Sequence, residues 1–106
     1  MMKRPATLEA YTDLVEQGLF EVEELRFSVE FDEEFMEGAL NFVGALEEEL
    51  KQMMAALKED RYEFVDKDLG FMSLVKNQSN MILPFKGLLN LINTTHRKGL
   101  LDTAAE

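Results

Sequence analysis

The sequence predicts an all-α protein, in which a long antiparallel helical hairpin carries a short third helix and a capped C-terminal helix packed on it. Apolar residues recur at steps of three and four along two long segments, which is the spacing of one helical face. Residues that favour helix starts and ends flank these segments. The length of 106 residues suits one domain, so we assign 1–106 to a single helical domain with flexible ends at 1–6 and 101–106.

The first helix is predicted to begin after Thr7, whose hydroxyl suits the N-cap position. Its apolar face comprises Leu8, Tyr11, Val15, Gly18, Val22, Leu25 and Val29. Over residues 26–31, polar residues alternate strictly with apolar ones, as they do in a strand. However, Phe27, Phe31 and Phe35 recur every four residues, as they would on a helix. We predict that the helix continues, and a short strand at 26–31 is the main alternative.

The second helix is predicted to begin after Asp32, an N-cap residue followed by two glutamates at the positive end of the helix dipole. We expect it to end near residues 58–60. Its apolar face comprises Met36, Ala39, Val43, Leu46, Leu50, Met53 and Leu57. Glu47 and Lys51 are four residues apart, in the order that favours an ion pair. Two such helices joined by a short turn are typical of an antiparallel hairpin.

The last third of the chain predicts two shorter helices. We expect Asp66 to cap a brief helix that runs to Val75, followed by a polar loop at 77–80. Pro84 suits the first position of the final helix, and Gly99 suits its C-cap. His96 lies in the last turn, where we expect the helix dipole to favour its protonated form.

Acidic and basic residues are unevenly distributed along the chain. The formal net charge is −10, from 21 Asp and Glu against 11 Lys and Arg. Residues 9–49 hold fourteen acidic residues and one basic residue, Arg26, whereas 69–101 hold four basic residues and no acidic one. These parts can attract each other within the fold or between subunits. The overall charge argues against direct nucleic-acid binding, which requires a basic surface.

Several catalytic and metal-binding chemistries lack the residues that they require. The chain has no Cys and one His, which excludes thiol catalysis, cysteine-ligated metals and multi-histidine sites. Its six glycines are scattered singly, so no phosphate-binding loop is present. The segment beginning at Asp66 lacks the glycine and glutamate that a calcium loop needs at its sixth and twelfth positions. We expect a protein that is not an enzyme and has no metal and no cofactor.

The sequence also indicates a compartment. The basic first residues are not followed by the apolar segment of a secretory signal. No apolar run approaches the roughly 20 residues that span a bilayer. We therefore expect a cytoplasmic protein without membrane contact.

A non-catalytic protein-interaction module, acting as a regulator, adaptor or assembly factor, is the function that we expect. The partner would be another protein or a second copy of the chain, in a homodimer whose hairpins complete a bundle. Two groups of residues are candidate partner-binding surfaces. The first is an aromatic edge that one helix face cannot bury entirely, formed by Phe27, Phe31 and Phe35. The second shares a polar face of the last helix and comprises Lys86, Asn90, Asn93 and Arg97.

Two alternative functions stay open. A helical surface rich in carboxylates can imitate nucleic-acid phosphates and inhibit a nucleic-acid-binding protein. A buried carboxylate, or a cavity lined by Met and Phe, would suit an enzyme or a small-molecule binder. Ordinary packing is the alternative to such a cavity. We assign the internal methionines first to the core. We assign five phenylalanines first to the core or to a dimer interface: Phe20, Phe27, Phe31, Phe35 and Phe42.

Overall fold

A computed structural model describes residues 4–31, 36–77, 83 and 85–101, with the side chains of all of these but 28–31 and 36–41. Four helices follow one another: α1 (Leu8–Phe31), α2 (Met36–Lys58), α3 (Met72–Val75) and α4 (Lys86–Lys98). These residues contain no strand. The all-α prediction is therefore confirmed, and 26–31 is helical.

α1 begins where the sequence predicts. The Thr7 hydroxyl accepts a hydrogen bond from the Ala10 N–H at 3.0 Å, which satisfies one of the N–H groups left without a partner at a helix start. The helix then continues to Phe31, through the alternating segment. A helix satisfies its backbone hydrogen bonds within the segment, whereas a strand would need a neighbouring strand to do so.

α1 and α2 make the most extensive helix–helix contact within the described chain. The contacts run in opposite directions along the two helices, since Gly18 lies near Leu50 whereas the later residue Arg26 pairs with Glu47. Residues 32–35, which include the predicted N-cap Asp32, lie outside the described residues. The predicted apolar faces are buried where side chains are described, at Tyr11, Val15, Val22, Val43, Leu46, Leu50, Met53 and Leu57.

α4 packs against α1 at Gly18. A Cβ atom at this position would lie 3.0 Å from Ile92 Cδ1, so the absence of a side chain lets the two helices approach. The face of α4 that is buried here includes Leu88, Leu89 and Ile92. The apolar stripe of the final helix thus completes the core that the first two helices begin.

The boundaries of the last two helices differ in how well the sequence predicts them. α3 begins only at Met72, so the prediction that Asp66 caps it is wrong. The Asp66 carboxylate instead accepts a hydrogen bond from Arg97 Nε at 2.9 Å, and a charged donor competes well with a local backbone cap. Gly99 has a φ of 82° and its N–H donates to the Thr95 carbonyl, which confirms the glycine C-cap. Pro84 lies outside the described residues.

The described ends of the chain lie next to each other. The Leu101 N–H donates to the Pro5 carbonyl at 2.8 Å. Leu100 is partly buried and packs against the core. Because residues 1–3 and 102–106 lie outside the described chain, flexibility at 1–6 and 101–106 stays a prediction.

Candidate protein-interaction surface

The side of α1 that faces away from the core carries two large aromatic side chains among acidic ones. Phe20 is 57% exposed and Phe27 is 63% exposed. They are seven residues apart, which is about 10.5 Å along the axis of a helix. Glu23 and Glu24 lie between them, and the four residues line a recess of about 320 Å³. We call Phe20, Glu23, Glu24 and Phe27 the aromatic–acidic patch.

The acidic residues on the exposed side of α1 form no ion pair with any cation that the structure describes. These residues are Glu9, Asp13, Glu16, Glu23 and Glu24. The single cation of α1, Arg26, is directed towards α2, with its Nη1 2.6 Å from Glu47 Oε1. The charge of the patch is thus not neutralised from within α1. It can attract a cationic partner over about 8 Å at physiological ionic strength.

Glu47 differs from these acidic residues because it is buried. Its Oε1 accepts hydrogen bonds from Arg26 at 2.6 Å and from Lys51 at 3.3 Å. The pair with Lys51 confirms the sequence prediction, whereas Arg26 comes from the other helix and could not be inferred from spacing. Oε2 is buried and has no hydrogen-bond partner in the described structure. Arg26 and Lys51 offset part of the cost of burying the carboxylate, since they pair only with Oε1.

The polar face predicted on α4 is not one uniform solvated surface. Asn90 and Arg97 are exposed, Lys86 is partly exposed, and Asn93 is only 6% exposed. Asn93 uses both ends of its amide: Oδ1 accepts a hydrogen bond from the Leu69 N–H at 2.7 Å, and Nδ2 donates to Asp68 Oδ1 at 2.9 Å. A residue proposed to contact a partner is thus engaged within the chain.

Charged side chains hold the same segment from both sides. Arg97 pairs with Asp66 at 2.9 Å and with Asp68 at 3.4 Å, and Lys76 pairs with Asp68 at 3.3 Å. The hydrogen bond from Asn93, followed by the one from Lys76, lowers the pKa of the Asp68 carboxyl. These contacts attach residues 66–69 to α4.

Glu49 attaches the next residues to α2. Its Oε2 accepts a hydrogen bond from the Gly70 N–H at 2.8 Å. A Cβ atom at residue 70 would lie 2.8 Å from Glu49 Oε1, so a larger residue would displace the carboxylate. Burial raises the pKa of Glu49, while the N–H groups of Gly70 and Phe71 oppose this rise. We call Glu49, Asn93 and Arg97, with the segment 66–70 that they hold, the loop clamp.

A chain of aromatic polar groups joins α1, the segment after α2, and α4. The hydroxyls of Tyr11 and Tyr62 lie 3.0 Å apart, and the Tyr62 hydroxyl lies 2.6 Å from His96 Nδ1. The Tyr11 hydroxyl also donates to the Ile92 carbonyl at 3.2 Å. Burial raises the pKa of both tyrosines. Burial also lowers the pKa of His96, so the shift is opposite in direction to the one expected from the helix dipole.

The structure divides the aromatic and methionine residues that we assigned first to packing. Phe42 is 5% exposed, and Met53, Met54 and Met72 are also buried, as expected. Phe20 is exposed because it lies on the opposite side of α1 from the buried stripe of Gly18 and Val22. Its angular position was the signal that could have identified it. Phe35 and the side chain of Phe31 lie outside the described residues.

Comparison with known proteins assigns no family to the chain. No protein-family model matches it, and neither a curated protein nor a solved structure is significantly similar to it.

Among the residues that the structure describes, no group of three or more His, Asp or Glu could hold a metal ion. None of the described helices combines the length and apolar character needed to cross a bilayer.

Proposed function

We propose that the protein is a non-catalytic interaction module that binds a positively charged protein through the aromatic–acidic patch. The exposure of Phe20 and Phe27 beside Glu23 and Glu24 is the observation that supports this proposal. Aromatic side chains contribute much of the binding energy of protein interfaces, because they bury a large area and lose little conformational freedom. Phe31 and Phe35 follow at four-residue steps, and we propose that they extend the contact along the chain.

We place the partner surface on α1 rather than on α4. Asn93 is buried and Arg97 is paired with Asp66 and Asp68, so a partner that recruited them would break bonds holding the loop clamp. Glu23 and Glu24 make no such bonds to described residues, so a partner can engage them without a structural cost. Lys86 and Asn90 could contribute at most a smaller secondary contact.

The expected partner of the patch is a different protein rather than a second copy of the chain. A two-fold symmetric dimer formed through this face would bring the same patch of both protomers together. Glu23 and Glu24 of one protomer would then face those of the other, and like charges across an interface are unfavourable. A homodimer through the patch predicts a doubled solution mass that returns to the monomer value in Phe20→Ser, which sedimentation equilibrium measures.

An acidic inhibitor of a nucleic-acid-binding protein is the second candidate function. The observation that favours it is the row of five exposed acidic residues along α1, from Glu9 to Glu24. Such an inhibitor would occupy the partner's basic nucleic-acid groove, so DNA or RNA should compete with it for the partner. A partner that binds the protein and a nucleic acid at the same time would contradict this candidate.

The leading proposal is tested by a photoreactive phenylalanine analogue placed at Phe20 in the full chain, expressed in its source cells. We expect a discrete crosslinked product from this position and much less from Gln52, an exposed position on α2. Adding E23K and E24K should remove the product, because the charge of the patch is reversed. The matched control carries E48K and E63K, two exposed positions elsewhere that give the same net charge. Equal crosslinking in the two charge-reversed variants would contradict the proposal.

A further inference from the structure

We infer that the aromatic–acidic patch recognises an arginine side chain of the partner, seated between Phe20 and Phe27. This inference rests on the proposed function and adds the chemistry of the ligand, which is a guanidinium group on a peptide segment. Its basis is the combination in one recess of two aromatic rings and two carboxylates. An aromatic ring alone or a carboxylate alone would attract several kinds of ligand, whereas the two together favour a guanidinium group.

The guanidinium group fits this combination because it is planar, charged and weakly hydrated. It can stack on an aromatic face while its N–H groups donate paired hydrogen bonds to a carboxylate. Phe20 and Phe27 flank the recess, and Glu23 and Glu24 lie between them. A lysine ammonium can pair with the same carboxylates, but it is strongly hydrated and has no planar face to stack.

No cation that the structure describes forms an ion pair with Glu23 or Glu24. Arg26 is the only cation of α1, and its guanidinium is bound to the buried carboxylate of Glu47. The lysines Lys51 and Lys58 line a separate groove, together with Glu16 and Leu19. The recess between the two phenylalanines therefore presents its carboxylates to an incoming cation without a competing ion pair within the described structure.

Charge distinguishes an arginine-bearing segment from the other occupants that an exposed aromatic surface could attract. A nucleic-acid backbone and an anionic membrane both carry charge of the same sign as Glu23 and Glu24, so they would be repelled. A second copy of the chain would present the same acidic patch. A basic peptide is attracted at a distance and gains the stacking contact on arrival.

The test measures binding of the full chain to two fluorescent peptides that differ only in having arginine or lysine at every basic position. We expect the arginine peptide to bind about fivefold more tightly than the lysine peptide, because stacking is available to it alone. F20A together with F27A should bring the two affinities together. E23K together with E24K should abolish binding of both peptides, and the E48K and E63K control should retain the wild-type preference. Circular dichroism of each variant reports whether the helices are intact.

Three results would overturn the inference. Equal affinities of the wild-type chain for the two peptides would remove the role of arginine. A preference for arginine that survives in the F20A and F27A chain would place the guanidinium elsewhere. Failure of both peptides to bind would also reject the inference that the patch recognises arginine. The crosslink at position 20 would still report whether the patch binds a protein. The two proposals can therefore fail separately.

Discussion

Acidic residues have different surroundings in the aromatic–acidic patch and in the loop clamp. In the clamp, Asp66 and Asp68 pair with Arg97, and a buried amide is satisfied at both ends. In the patch, the carboxylates have no ion pair within the described chain and the aromatic rings are exposed. An acidic residue stabilises the fold where a cation or an N–H group faces it, and otherwise it is available to a partner.

This contrast also changes the meaning of the uneven charge along the sequence. The sequence indicates that the acidic hairpin and the basic last third can attract each other within the fold or between subunits. In the structure, Arg97 and Lys76 pair instead with Asp66 and Asp68, which lie between those two parts of the sequence. Arg97 and Lys76 thus pair with the segment between those two parts rather than with α1. The exposed acidic residues of α1 form no ion pair with a described cation.

The largest expected effect lies in the clamp, at Asn93. Asn93→Leu removes two hydrogen bonds and leaves the buried Leu69 N–H without a partner. We expect the free energy of unfolding to fall by about 3 kcal/mol, because an unsatisfied buried N–H adds its desolvation cost to the lost bonds. Urea denaturation measures this. Asn90→Leu, at an exposed position on the same helix, is the matched control and should change stability by about 0.5 kcal/mol or less. Equal effects of the two substitutions would mean that the clamp does not stabilise the fold.

These two asparagines also show where sequence-based prediction ends. Periodicity identified the buried faces of α1 and α2, because burial along one helix depends on residues a few positions apart. Asn90 and Asn93 share residue type and predicted face, yet one is exposed and the other is buried. Only the path of residues 66–69 over α4 distinguishes them. The pair of Arg26 with Glu47 depends in the same way on which elements become neighbours.

A second expected effect concerns Glu47, a buried carboxylate of α2 that is ion-paired within the fold. Arg26→Ala should lower the free energy of unfolding by about 2 kcal/mol, because Glu47 is buried and loses its shorter ion pair. The effect is smaller than for a fully buried pair, since Arg26 is partly exposed and Lys51 remains. Lys51→Ala is the control, with an expected loss of about 0.5 kcal/mol. A larger loss from Lys51→Ala than from Arg26→Ala in urea denaturation would contradict the assignment of Arg26 as the main partner.

A third prediction concerns pH and the hydrogen-bonded aromatic chain. Burial lowers the pKa of His96 below its usual 6.5, so the unfolded chain binds a proton more readily than the folded one. The free energy of unfolding should therefore fall as the pH is lowered from above 6.5 towards the pKa of the folded state. The slope from one proton is at most about 1.4 kcal/mol per pH unit.

His96→Gln isolates this contribution, because the amide can still form a hydrogen bond with the Tyr62 hydroxyl but does not titrate. The difference in stability between the two chains should depend on pH below 6.5 and be constant above it. Glu49 has the opposite sign, since its raised pKa makes stability increase as the pH falls through the range above 4.5. The comparison between the chains cancels that contribution. A difference that does not vary with pH would contradict the burial of His96.

The smallest effect on stability is expected in the patch, where the effect on binding is expected to be largest. Phe20→Ser and Glu23→Lys replace exposed side chains, so the free energy of unfolding should change by about 0.5 kcal/mol or less. Reversing a charge in an acidic helix also relieves repulsion from its neighbours, which offsets any lost contact. Urea denaturation measures the stability of both chains. The crosslink at position 20 is measured on the Glu23→Lys chain, because the analogue occupies the position that Phe20→Ser changes. Loss of the crosslink at unchanged stability would separate binding from folding, as the unpaired carboxylates suggest. A loss of more than about 1 kcal/mol in Phe20→Ser would instead mean that Phe20 packs on the fold, and the patch would then be structural, like the clamp.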